Sequence, residues 1–242
     1  MSNESTVEQA ALAAVISETG FVTVPETKLP NGLVVPAFQV SQFHISTGDE
    51  GQPVVNEDLP PWVEIDFREA KAQCEAMGGQ LIRETQALAL AWNVFNVAAN
   101  WSGGAVGEGT LSMGLHDDYD LDEAPTGTYE QQKRGFLLST GETVFDVAGL
   151  VFTWVFDDVQ GDDEGLIVKA FAEDSPSIAT APYPSREKGM GWRPDAGTDW
   201  SCNALVRGGG WGSGSLAGVF YLDLVWPDDE YGYVGFRCTK GL

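Results

Sequence analysis

Side chains able to do covalent or metal chemistry are sparse in this chain of 242 residues, and their spacing argues against most reactions. The three cysteines, Cys74, Cys202 and Cys238, are too few and too scattered for a zinc site or a disulfide scaffold, and their odd number leaves at least one thiol unpaired. Neither histidine, His44 or His116, sits in a nucleophile motif, so a Ser-His-Asp hydrolase is a poor reading. No glycine-rich phosphate loop with its lysine is present. Carboxylates are plentiful, 36 acidic residues against 13 basic ones, so a close pair of them carries little information about acid–base catalysis. Two clusters, HDDYDLDE at 116–123 and FDDVQGDDEG at 156–165, hold enough oxygen ligands for a structural calcium ion. Neither has the EF-hand spacing, and solvated loops are the simpler reading.

Binding chemistry is better represented than catalysis. In LVRGGGWGSGSLAGVFYLDLVWPDDEYGYVGFRCTKGL, residues 205–242, hydrophobic and glycine positions alternate with side chains of unrelated chemistry. Arg207, Trp211, Phe220, Phe236 and Arg237 read as scaffold. Between them stand Gly210, Gly212, Ser213, Leu216, Tyr221, Asp223, Val225, Trp226, Asp229, Tyr231, Gly232 and Tyr233. Aromatics favour strands, but in WPDDEYGYVGF they come with Pro, Gly and three acids, which marks a loop. Tyr, Trp, Ser, Gly and Asp are the residues that binding loops use as rigid anchors and adaptable polar contacts. On this reading Leu216, Val225 and Trp226 supply apolar area, the three tyrosines mixed contacts, and Asp223 and Asp229 charge selectivity; the glycines make room.

The elements that must position these residues follow from patterning. With 43% hydrophobic residues and 29 glycines the chain reads as one glycine-rich globular domain over 21–242, preceded by an arm or short helix at 1–20. A formal charge of −23 repels phosphate backbones, so nucleic acid is not an expected partner. No apolar run reaches membrane length, and the N-terminal residues lack a basic start and long apolar middle, which implies synthesis in a cytoplasm and no membrane insertion. Thiols there are held reduced. Residues 21–43 alternate with punctuating prolines and predict short edge strands, with His44 a further strand residue. Within 61–82, Asp66 as N-cap, Phe67, Ala70, Cys74 and Met77 at helical spacing and a Gly78-Gly79 stop predict a first helix. A second is predicted over 83–99, capped by Thr85 and burying Leu88, Ala91, Trp92 and Phe95.

The tail resembles the variable region of diversity-generating retroelement proteins, the sulfatase-modifying-factor-like branch of the C-type lectin fold. The shared features are the Arg207-Gly208-Gly209 opening, Trp211, the Ala217-Gly218-Val219-Phe220 strand and the closing Gly235-Phe236-Arg237. Adenine-directed mutagenesis of an Asn template codon can yield every interspersed residue except Trp226, which needs a different codon. The first helix, with its cysteine and Gly-Gly-x-Leu exit, and GETVFDVAGLVFTWVFD at 141–157 resemble further blocks of that branch. The resemblance implies an α+β, loop-rich C-type lectin fold, two helices flanking small twisted antiparallel sheets, with a variable region at about 207–237. It further implies that Cys74 pairs with Cys238, against the reduced state expected of a cytoplasm. It implies a non-enzymatic protein that binds an unknown protein or cell-surface ligand, and that reaches a virion or cell surface through another component. Formylglycine-generating oxidases of the same branch are one alternative, but their reactive cysteine pair is missing between Trp211 and Arg237. A constitutive phage structural or decoration protein is another. Sugar-binding C-type lectin motifs are absent, and no cofactor is expected beyond a structural calcium ion.

Overall fold

The computed structural model describes residue 17 and residues 19–116, 126, 134–180 and 186–242. The expected arm at 1–20 lies almost wholly outside the described residues, as does the acidic cluster at 116–123 apart from His116. The first half carries β1 (Phe21–Val24), β2 (Thr27–Lys28), β3 (Val34–Val35), β4 (Phe38–Ser41), β5 (Ser46–Thr47), β6 (Pro53–Val54), α1 (Phe67–Ala76), β7 (Gln80–Leu81) and α2 (Glu84–Phe95). The second half carries β8 (Gly135–Leu137), β9 (Thr143–Phe145), β10 (Phe152–Val155), α3 (Pro176–Ala179), β11 (Ala204–Arg207), β12 (Leu222–Val225), β13 (Val234–Phe236) and β14 (Cys238–Gly241).

The prolines keep the N-terminal strands short, as expected. His44 is a correction: it lies beyond β4 in the connection to β5, fully buried, where its ring serves a polar network instead of a ladder. Helix α1 starts where Asp66 accepts the Glu69 amide at 2.7 Å and ends at Gly78, whose φ of +72° carries the chain into β7. Helix α2 is shorter than predicted and is not capped by Thr85. The Gln86 side chain accepts the Arg83 amide at 3.0 Å, while the Thr85 hydroxyl donates to Asp158 at 2.6 Å. A distant carboxylate takes the cap the local sequence offered. Leu88 and Ala91 are buried, whereas Trp92 and Phe95 are only partly covered and stack with ring centroids 4.9 Å apart.

Two four-stranded sheets organise the rest, in the orders β1-β4-β14-β7 and β12-β11-β10-β13. Pairings in them are antiparallel except β10 with β13, which run parallel because the tail passes β12 and returns on the far side of β10. At its centre, β11 and most of β10, the second sheet is buried on both faces, whereas edge strand β12 is half-buried. Ala204 and Val206 face α1 and Trp154, whereas Leu205 and Val155 face α2, so each helix covers one side. Cys74 of α1 and Cys238 of β14 form a disulfide, with Cα atoms 5.2 Å apart in the core. That is the pairing implied by the resemblance and not the reduced state expected of a cytoplasm.

Arg207 shares the face of Leu205 and meets Glu84 at the start of α2. Its Nε donates to Glu84 Oε2 at 2.6 Å, its Nη2 to Oε1, and its Nη1 to the Phe220 carbonyl at 3.3 Å. Both side chains are buried, so neither charge tolerates loss of the other. Arg207→Met alone should lower the unfolding free energy by about 3–5 kcal/mol in urea titrations, and Arg207→Met with Glu84→Leu should recover most of that loss. A double variant no more stable than the single one would show that the pair does not carry the effect.

Asp157 lies beside the same pair. Its carboxylate accepts the Val159 and Gln160 amides at 2.9 Å each, but burial, then the nearby Glu84, pushes its pKa up to about 6. Between the ordinary carboxylate range and about pH 6 the folded protein keeps this proton while the unfolded chain releases it, so stability falls as pH rises through that window. Asp157→Asn should be the more stable protein at pH 8, by up to about 3 kcal/mol, with the advantage vanishing towards pH 4. The measurement is the difference between variant and wild-type unfolding free energies across that range; a constant difference would contradict it.

Candidate ligand-binding face

The frame of the tail is held from below. Arg207 fixes its start, as above. At its end Arg237 is buried, donating from Nη1 to the Ser41 carbonyl at 2.9 Å and from Nη2 to the Phe145 carbonyl and to His44 Nδ1, the latter at 3.3 Å. Burial, Arg237 and Arg134 hold the His44 pKa well below its ordinary value, so the imidazole is neutral. Nδ1 is then the acceptor and Nε2–H donates to Thr153 at 2.8 Å. Burial likewise lowers Arg237 to about 10, still charged at neutral pH. Beside it Arg134 grips Asp146 with two bonds of 2.7 and 2.8 Å. Phe220 and Phe236 are buried, and Trp211, half-buried, ties its amide to the Leu150 carbonyl at 2.9 Å.

Between these supports the chain makes a 3-10 turn at Trp211–Leu216, runs along β12 and crosses a loop to β13. Trp226 is 62% and Tyr233 42% exposed, and Gly212, Asp229 and Gly232 are also exposed. Ser213, Leu216, Asp223, Val225 and Tyr231 are half-buried. Two positions depart from the expected surface. Gly210 is buried, its amide donating to Ser213 Oγ at 2.9 Å. Tyr221, at 4% exposure, forms the floor beneath the face and not a contact on it. Its ring packs on Phe152 and Trp192, with centroids 5.2 and 6.2 Å away, and its hydroxyl donates to Asp223 at 3.0 Å.

The rings form a row. Tyr231 meets Tyr233 at 5.3 Å, Tyr233 meets Phe152 at 6.2 Å, and beyond Tyr221 and Trp192 comes Trp200, 6.3 Å from Trp192 and edge-on to Phe171 at 5.3 Å. Partial burial and the neighbouring carboxylates, Asp229 for Tyr231 and Asp223 for Tyr233, raise both phenol pKa values, so both hydroxyls remain hydrogen-bond donors at neutral pH. The Tyr231 hydroxyl spans the loop, donating to Asp229 at 3.3 Å and accepting the Trp226 amide at 3.3 Å. The outcome is a face of rigid aromatics edged by carboxylates.

Sequence reasoning missed Phe152, Trp192 and Trp200. The signal was there in GWRPDAGTDW at 191–200, which mixes Trp with Gly, Pro and Asp as the tail loop does. Glycines bring this segment to the tail. Gly191 has φ +90°, and a Cβ there would lie 2.5 Å from the Tyr221 amide nitrogen. Across from it a Cβ on Gly218 would run into the Gly191 nitrogen.

Among the described residues, groups suited to catalysis do not gather on this face. Cys74 and Cys238 are tied in the core, and Cys202 is exposed ahead of β11. His116 bonds the Gly114 carbonyl at 2.8 Å. Carboxylates of the second acidic cluster hold turns, Asp162 accepting the amides of Glu164 and Leu166 at 2.9 and 3.1 Å. Among the described residues no three His, Cys, Asp or Glu side chains are placed to hold a metal ion, and no helix is long and apolar enough to cross a membrane.

No protein-family model and no curated protein matches the chain. Solved structures do. CarF aligns over 94% of this chain and 100% of its own at 9% identity with a TM-score of 0.51. Variable protein 1 of Treponema denticola aligns over 92% and 94% at 13% identity and a TM-score of 0.48. The M1 variant of the major tropism determinant aligns over 95% of this chain but 54% of its own, at 16% identity and a TM-score of 0.46. The likeness to CarF is one of fold, the C-type lectin fold, an α+β architecture.

Exposure separates face from frame energetically. Replacing Trp226, Asp229 and Tyr233 together with serine should shift the unfolding free energy by about 1.5 kcal/mol or less, whereas Phe220→Ala, Phe236→Ala and Tyr221→Ala should each cost roughly 3–5 kcal/mol. Urea denaturation of the four proteins distinguishes them. A triple variant as unstable as Phe236→Ala would move those side chains into the core.

Proposed function

We propose that this chain is a non-enzymatic ligand- or receptor-binding protein whose C-terminal face is rewritten by a retroelement. The observation that carries the reading is the division of labour in the tail. Its ends are locked by buried arginines, while ten of its twelve interspersed positions are exposed or half-buried on one turn, one edge strand and one loop. Such a surface can change without unfolding what bears it, because exposed substitutions cost little and core ones cost much. Trp226 and Tyr233 offer the apolar anchors that dominate binding energies, and Asp223 and Asp229 offer charge selectivity.

The partner in this reading is a protein or another cell-surface ligand, met from a virion or cell surface to which a second component attaches the chain. Nucleic acid is disfavoured by the charge of −23. Oxidase chemistry needs two thiols within reach of one substrate, and only Cys202 remains free. A constitutive decoration protein would not need a tail whose exposed positions can be changed without disturbing the frame that carries them.

Sequencing the surrounding locus tests this. A near-copy of the tail's coding DNA should lie beside a reverse-transcriptase gene, differing from it at template adenines in the codons of the interspersed positions and not in those of Arg207, Phe220, Phe236 or Arg237. Differences spread over cytosines and guanines, or no copy at all, would rule out diversification.

A further inference from the structure

We infer that Trp192, backed by Trp200, is a fixed anchor of the ligand face, contributed from outside the diversified tail and shaped to take a basic side chain of a protein partner. This rests on the binding reading above and adds to it a residue and a partner chemistry. Trp192 sits inside the face by its backbone. Its amide donates to the Leu216 carbonyl at 3.0 Å and its carbonyl accepts the Leu222 amide at 2.9 Å, so it bridges the end of the turn and the start of β12. The close glycine approach of Gly191 to Gly218 permits this and fixes its depth. The indole is half-buried, held edge-on to Tyr221 at an interplanar angle of 84° and tilted by 33° against Trp200, with centroids 6.3 Å apart. A half-buried ring held by two others presents contact area with little rotamer freedom left to lose on binding.

The charge around the ring row sets the partner. Asp195 and Asp199, outside the tail, are exposed and in no ion pair among the described residues, although Arg193 lies within electrostatic reach of Asp195; Asp223 and Asp229 add charge in this version but are themselves interspersed positions of the tail. Indole and phenol faces attract ammonium and guanidinium groups, and carboxylates beside them add to the attraction. A tail that varies can alter the outline of the face, whereas Trp192 stays the same in every version. It therefore gives all versions a common preference for Lys- or Arg-bearing surfaces, on which each tail imposes its own selectivity.

Lysozyme, a basic folded protein, is a suitable probe. The full chain, randomised at Gly212, Ser213, Leu216, Trp226, Asp229 and Gly232, is displayed and selected on it, and three binders with unrelated tails are kept. Trp192→Ala should weaken each of the three by roughly 30-fold, as expected of an aromatic hot spot, while Trp192→Phe should retain most of the affinity. Acetylating the lysozyme lysines should weaken all three unsubstituted binders. Should Trp192→Ala fail to fold, oxidative footprinting of the unsubstituted proteins replaces it: the Trp192 indole should be protected by lysozyme in all three. Affinity unchanged by Trp192→Ala in any properly folded binder, or an unprotected indole, overturns the anchor and leaves the binding reading standing. Equal affinity for acetylated lysozyme overturns the basic-partner assignment. A library that yields no binder at all counts against the binding reading, and this inference falls with it.

Discussion

Two guanidinium groups withdrawn from water set the terms for the rest of the molecule. An arginine in a protein interior costs several kcal/mol unless its donors are met, and it keeps its charge. Arg207 and Arg237 stand at the two ends of the tail, and most of their partners come from elsewhere: Glu84 at the start of α2, the carbonyls of Ser41 and Phe145, and the neutral ring of His44. Moving either arginine by one residue would strand it. The register of the tail is therefore set by groups that the tail does not contain, and the residues between are relieved of that duty.

The doubly covered sheet has a related effect. Because α1 and α2 bury opposite faces of β10 and β11, the strands beneath the tail's turn and loop have no conformational slack to pass on. The Gly191–Gly218 approach extends this rigidity sideways and joins a segment before β11 to the turn after it. Binding groups carried on a stiff base lose less entropy when they meet a ligand.

Much of this was legible in the chain. Helix α1 was readable because Asp66, the buried positions at three- and four-residue spacing and Gly78 all act locally. The alternation of frame and surface in the tail was readable because buried and exposed positions follow different residue chemistry. What could not be read depended on partners far away in sequence. Thr85 looked like a cap until Asp158 claimed it; His44 looked like a strand residue until Arg237 and Thr153 enclosed it. Tyr221 has the composition of a contact residue, and only the ring of Trp192 and that of Phe152 turn it into a floor. The parallel pairing of β13 on β10 was equally hidden, since strand direction depends on the path between two strands and not on the residues of either.

The closing strand has a bearing on how the molecule comes to exist. In the first sheet β14 lies between β4 and β7, with Val40 opposite Thr239 and Leu81 opposite Cys238. Neither neighbour can complete its ladder until residues 238–241 have left the ribosome, and pairings of such long range form slowly. During synthesis the earlier strands wait with open edges, exposed to association with other chains. The whole of the tail is thus synthesised before the first sheet can close, so its residues must leave the earlier strands able to wait for it.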